Sequence, residues 1–265
     1  MTDSRLERVL KRDRFVLLAA LAALAAIAWA YLAWMGAMPP EPMAGHDGRS
    51  EMAPGFARWS AGDFLAMLLM WAVMMVGMMT PSAAPMILIY ARVGRKAESG
   101  GTPFAPAGWF ASGYLLAWTG FAIGATLLQW LLEQAMLVSP ATASAGPLPG
   151  GLLLIAAGLY QWTPLKYACL AQCQSPLQFI QRHGGFRGDR AGALALGLRH
   201  GFYCIGCCWA LMLLLFVGGV MNLLWIAAIA ILVLAEKLIP AGRLVSRAAG
   251  AAMIFGGAAL AAGMI

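Results

Sequence analysis

The sequence predicts an all-α protein: a polytopic transmembrane helical bundle of about seven spans. Three observations carry that reading. Of 265 residues, 62% are hydrophobic and only 11% are charged, whereas a soluble domain carries about 25% charged residues. The apolar residues fall in blocks long enough to cross the ~30 Å hydrocarbon core, which takes roughly 20 helical residues. The connecting segments then alternate between rich and poor in Lys and Arg. A soluble enzyme or nucleic-acid-binding domain of this composition would lack the polar surface to stay in water. The net charge of +7 is therefore read relative to a bilayer, not as affinity for nucleic acid.

Taken in order, the expected spans are 15–35, 64–91, 107–138, 150–165, 201–220, 223–239 and 248–265. The first follows Arg5, Arg8, Lys11, Arg12 and Arg14. Its apolar run exceeds a signal-peptide core and no small-residue cleavage site follows, so it reads as a retained span. With the N-terminus inside, the inner segments also hold Arg92, Arg95, Lys96, Lys166, Arg182, Arg187, Arg190, Arg199, Lys237, Arg243 and Arg247. Only Arg49 and Arg58 remain outside. The positive-inside rule thus places the N-terminus in the cytoplasm and, for an odd number of spans, the C-terminus outside. An outer loop, 36–63, is rich in Pro, Gly and Met, and a basic inner segment covers 166–200. Nothing is large enough for a second domain, so the chain reads as one membrane domain. Asp63, Gln129, Glu133 and the pair Glu236–Lys237 fall near span ends, where snorkelling accommodates polar groups; no function is assigned to them.

All five cysteines fall in two short segments on the expected cytoplasmic side. Cys169 and Cys173 follow the fourth span at i, i+4, sharing one face if the helix continues past Pro164. His200, Cys204 and Cys207 have i, i+4, i+7 spacing, a single helical stripe, and Cys208 flanks it one turn from Cys204. A reducing compartment disfavours structural disulfides. Thiolates there bind Cu(I), zinc or iron–sulfur clusters, or do redox chemistry. Cys also packs as a small apolar residue, but the gathering of all five beside a histidine favours a metal or thiol role. Arg199 reads equally as a membrane-surface anchor or as a cation favouring thiolate.

Methionine is the second anomaly. Met67, Met70, Met74 and Met78 follow i, i+3, i+7, i+11 down the second span, with Met75 and Met79 as an i, i+4 pair beside them. Thioethers are soft, uncharged ligands that select Cu(I). A ladder of them would carry a cation through apolar surroundings without fixed carboxylates. The competing reading is a buried packing face. Pro81 and Pro85 release backbone carbonyls a turn above, and the outer loop adds Met35, Met38, Met43, His46 and Met52. Ligand softness then rises inward, from Met and His outside to Cys inside.

Three segments are distinctive: MMVGMMTPSAAPM at 74–86, TPLKYACLAQC at 163–173 and GLRHGFYCIGCCW at 197–209. With the Gly-Gly-Val-Met-Asn and Glu-Lys that follow, they resemble a bacterial family of predicted metal-binding integral membrane proteins of unknown function. The resemblance runs from about residue 63 to the C-terminus. It implies a multi-span bacterial inner-membrane protein with a metal at Cys169, Cys173, His200, Cys204, Cys207 and Cys208. The vicinal Cys207–Cys208 is also similar to mercuric-ion transport proteins.

These features point to a non-enzymatic protein that binds a soft metal, foremost Cu(I), and transports or delivers it across the membrane. Zinc or iron are the alternative metals. The expected partners are the lipid bilayer, the metal ion, and a soluble metal carrier or a larger membrane complex. The sequence carries no G-x-x-x-x-G-K-[ST] motif for ATP. Two other readings stand beside this one: a transmembrane thiol redox protein, and a Zn- or Fe–S-bearing structural subunit or assembly factor. The cysteines' confinement to one side weighs against the redox reading, because a partner outside would meet no thiol.

Overall fold

The computed structural model describes residues 3–37, 59–99, 105–139, 144–185 and 188–264. The chain is all-helical: α1 Asp3–Ala37, α2 Ala61–Ser99, α3 Ala107–Gln134, α4 Pro147–Tyr160, α5 Pro164–Gln174, α6 Pro176–Arg182, α7 Arg190–Leu213, α8 Leu215–Gly218, α9 Leu223–Leu238 and α10 Gly242–Ala261. Among the described residues, five stretches are long and apolar enough to cross a membrane: Arg14–Ala37, Ala61–Lys96, Ala107–Gln134, Arg190–Gly218 and Gly242–Ala261. Helices α4 and α9, at 14 and 16 residues, are shorter than the roughly 20 that a perpendicular span needs.

Several boundaries differ from the sequence expectation, each for a local reason. The helix expected over 150–165 ends at Tyr160, and α5 begins anew with Pro164 at its first position. Proline lacks the N–H that a continuing helix requires but fits a helix start. The Thr163 hydroxyl caps the new helix by accepting from the Lys166 amide at 3.3 Å. Most of the described residues of the expected inner segment 166–200 are helical, forming most of α5, α6 and the beginning of α7. Asp189 starts α7 by accepting from the Gly192 amide at 2.7 Å, which puts Cys204 in mid-helix rather than about one turn from its start. Asn222 caps α9 in the same way, through the Trp225 amide. Pro81 and Pro85 lie inside an α2 that runs on through both.

Two glycine-lined crossings set the helix layout. Between α3 and α7, a Cβ on Gly113 would strike the Leu194 carbonyl, and one on Gly197 the Phe110 carbonyl. Between α4 and α10, a Cβ on Gly151 or Gly158 would come within 2.6 or 2.7 Å of the carbonyls of Gly257 and Gly250. Small residues let helix backbones approach this closely. The first crossing presses Tyr114 of α3 against the cysteine-bearing stretch of α7.

Candidate metal centre

The two cysteine segments meet. Helix α5 lies against α7, and Gly206, between Cys204 and Cys207, lies at the contact. A Cβ there would stand 2.8 Å from the Cys169 sulfur, tighter than real Cβ contacts, so glycine is what admits the α5 thiol. The Tyr160 hydroxyl donates to the Gly206 carbonyl and fixes the same spot. One turn further along α5, Cys173 lies near enough to Cys204 and Cys207 for those thiols to perturb its own. The Cys207 and Cys208 thiols turn back onto the Cys204 carbonyl, at 3.1 and 2.9 Å. All five cysteines are free thiols. Cys204, Cys207 and Cys208 are buried, and Cys169 and Cys173 half-buried.

His200 stands one turn from Cys204 on the same face. It is buried among Tyr114, Phe110 and Phe179, with ring centroids 5.6, 6.0 and 5.2 Å away. Its Nδ1 has no hydrogen-bond partner among the described residues. Among those residues no three His, Cys, Asp or Glu side chains converge into a ready-made metal site, so the tetrahedral set a structural zinc requires is not prearranged. Sulfur pairs drawn from two helices are a different donor set. Soft monovalent Cu(I) is satisfied by such pairs.

Helix α2, which carries the methionine stripes, reaches this cluster through the Met79 backbone. Met70, Met74, Met75, Met78 and Met79 are buried in the core, and Met67 is partly buried against it. At the lower end, the Met79 carbonyl accepts from the Ser82 hydroxyl at 2.9 Å and the Tyr114 hydroxyl at 3.2 Å. The Tyr114 oxygen lies 3.1 Å from the Cys204 sulfur. Lys237 Nζ donates to the Ser82 hydroxyl at 3.2 Å and to the Cys204 sulfur at 2.8 Å. Cys204 of α7 thus meets α3 through Tyr114 and α9 through Lys237, and both of those residues also reach α2.

A family model described as PpoB2, a copper chaperone, matches residues 68–260. The chain belongs to the PpoB2 family. No curated relative matches it, and no solved structure does. PpoB2 membership associates the chain with copper and agrees with the metal-binding resemblance read from its motifs. The match spans both cysteine segments and, apart from Met67, the methionine stripes.

The expectation for Glu236 and Lys237 needs correcting in this PpoB2 chain. They do not snorkel: they are 1% and 6% exposed. Adjacent helical residues point about 100° apart, and the two charges serve different neighbours. Glu236 pairs with Lys166 of α5 at 2.7 Å, while Lys237 faces α2 and α7. The sequence signal was available, since a Glu-Lys step closing an apolar helix cannot direct both charges to one exit. Tyr114 and Ser82 carried no comparable signal, because only the tertiary fold brings them to Cys204. Gln129 and Glu133 are also buried, bonded to the indoles of Trp71 and Trp59, both at 2.8 Å. Arg199 is exposed and lines a cavity of about 220 Å³ with His183; the cation at the thiols is Lys237 instead. Of the outer-loop residues, Met38, Met43, His46 and Met52 lie outside the described residues.

Proposed function

We propose that this chain is a membrane-embedded Cu(I) chaperone. It takes the ion along the α2 methionines and holds it between the thiols of α5 and α7 for release to an acceptor. The observation that supports this best is the approach of the α5 Cys169 sulfur to Gly206 of α7, between Cys204 and Cys207, beside a helix whose methionines are buried. Thioethers bind Cu(I) without losing a proton, while thiolates bind it more tightly. The order from thioether to thiolate therefore runs toward higher affinity, and handing the ion on requires an acceptor that is also sulfur-rich.

Within this reading His200 is a further ligand, approached through its unpaired Nδ1. Tyr114 and Ser82 hold the end of the methionine stripe in register with Cys204. The passage needs no hydrolysis by this chain, since the gradient of ligand strength draws the ion inward. The test is a competition titration of the purified full chain with a chromophoric Cu(I) chelator. Wild-type protein should withdraw copper from the chelator, and a variant with all five cysteines changed to Ser should not. Equal withdrawal by both would remove the thiols from the copper site.

A further inference from the structure

The Lys237 ammonium group sits among groups that carry no fixed negative charge. Its side chain is 6% exposed. From α2 it meets the Ser82 hydroxyl, and from α7 the Cys204 sulfur. From α3, the Tyr114 hydroxyl lies 3.1 Å from the same sulfur. The carboxylate nearest in sequence, Glu236, is committed to Lys166. A buried cation without a carboxylate is costly in an apolar bundle unless something nearby supplies opposite charge. Here the available source is the thiol cluster once it binds metal.

Resting on the thiol site proposed above, we infer that Lys237 sets the charge of the occupied site and so selects a monovalent soft cation over a divalent one. Among the described residues no three His, Cys, Asp or Glu side chains form a ready-made site, so the charge balance is drawn for two thiols. Two thiols that bind a metal give up their protons and carry two negative charges. One Cu(I) and one ammonium group bring that total to zero. A divalent ion on the same pair leaves one net positive charge buried beside Lys237, without a counter-ion. The balance holds whatever the protonation of the empty thiols, because it counts only the occupied site. Removing the ammonium reverses it: the dithiolate is then neutral with a divalent ion and anionic with Cu(I).

The test compares metal selectivity of the full chain in detergent, under reductant, in buffered Cu(I) and Zn(II). The wild type is set beside K237M, K237R and C204S, with bound metals counted by elemental analysis. K237R should keep the wild-type copper-to-zinc ratio. K237M should shift the ratio toward zinc by on the order of tenfold or more, the effect of one unscreened buried charge. If K237M does not fold, K237Q, which keeps a donor for Ser82, is read in the same way. A neutral substitution that binds copper at the cysteines with the wild-type ratio overturns the role of Lys237. Equal copper in wild type and C204S instead overturns the involvement of Cys204 itself, a result distinct from the first.

Discussion

Lys237 Nζ lies 2.8 Å from the Cys204 sulfur, joining α9 to α7 where Tyr114 of α3 and Ser82 of α2 also meet the pair. About 100° around α9 from Lys237, Glu236 holds Lys166 of α5. One short helix therefore ties down both cysteine-bearing helices, and the contacts between α5, α7 and α9 are predicted to stand or fall together.

The Lys166–Glu236 pair is 0% and 1% exposed, so removing one partner strands the other as a buried charge. K166M is expected to destabilise the protein by about 3–5 kcal/mol. The double variant K166M/E236L should regain much of that loss, because an apolar pair of similar volume leaves no charge unpaired. Thermal unfolding of detergent-solubilised protein reads both values. Additive losses would show that the two charges act independently.

Gly206 offers a more local probe. An added methyl group meets the Cys169 sulfur at 2.8 Å, and overpacking of this kind costs about 1–3 kcal/mol. G206A should lower thermal stability and weaken copper retention together. Adding C169A removes the colliding sulfur and should restore stability. A G206A variant indistinguishable from wild type would mean that α5 does not approach α7 this closely.

Much of this was legible in the sequence, for reasons that mark where legibility ends. The His200–Cys204–Cys207 stripe and the Met70–Met74–Met78 stripe are visible because helical spacing alone puts such residues on one face. Their meeting is not, since it depends on glycines that let particular helices touch: Gly206 for α5 and Gly113 and Gly197 for α3. Such glycines are indistinguishable from ordinary ones along an apolar chain. The break at Pro164 was foreshadowed by the proline itself, while the helical character of 166–200 was hidden by its basic, loop-like composition.

The α5 thiols should titrate late. Burial, with Cys207 nearby, pushes the Cys169 thiol above the ordinary cysteine range. The neighbouring Cys204 and Cys207 thiols, with burial, hold Cys173 well above it. A raised value means the neutral thiol persists at neutral pH, so alkylation of both should lag behind a free cysteine and accelerate only at higher pH. Copper binding must release those protons, so affinity should rise with pH. Mass spectrometry of iodoacetamide labelling against pH checks the first point. Labelling at pH 7 as fast as free cysteine would contradict it.

The methionine stripe can be separated from simple packing by a substitution of nearly equal volume. Met74 and Met78 are 0% and 2% exposed, and Met-to-Leu exchanges at such sites cost under about 1.5 kcal/mol. M74L/M78L should therefore fold with near wild-type stability yet pass copper to the thiols severalfold more slowly in reconstituted vesicles. Unchanged copper transfer would assign these thioethers to packing alone.

The central claim is that thiols from α5 and α7 share one Cu(I). X-ray absorption at the copper edge, on full-length protein loaded with one equivalent of Cu(I), tests it most directly. A first shell dominated by sulfur is expected in the wild type, with sulfur replaced in part by lighter atoms in C173S and again in C204S. A shell of nitrogen and oxygen in the wild type, or one unchanged by both substitutions, would contradict it.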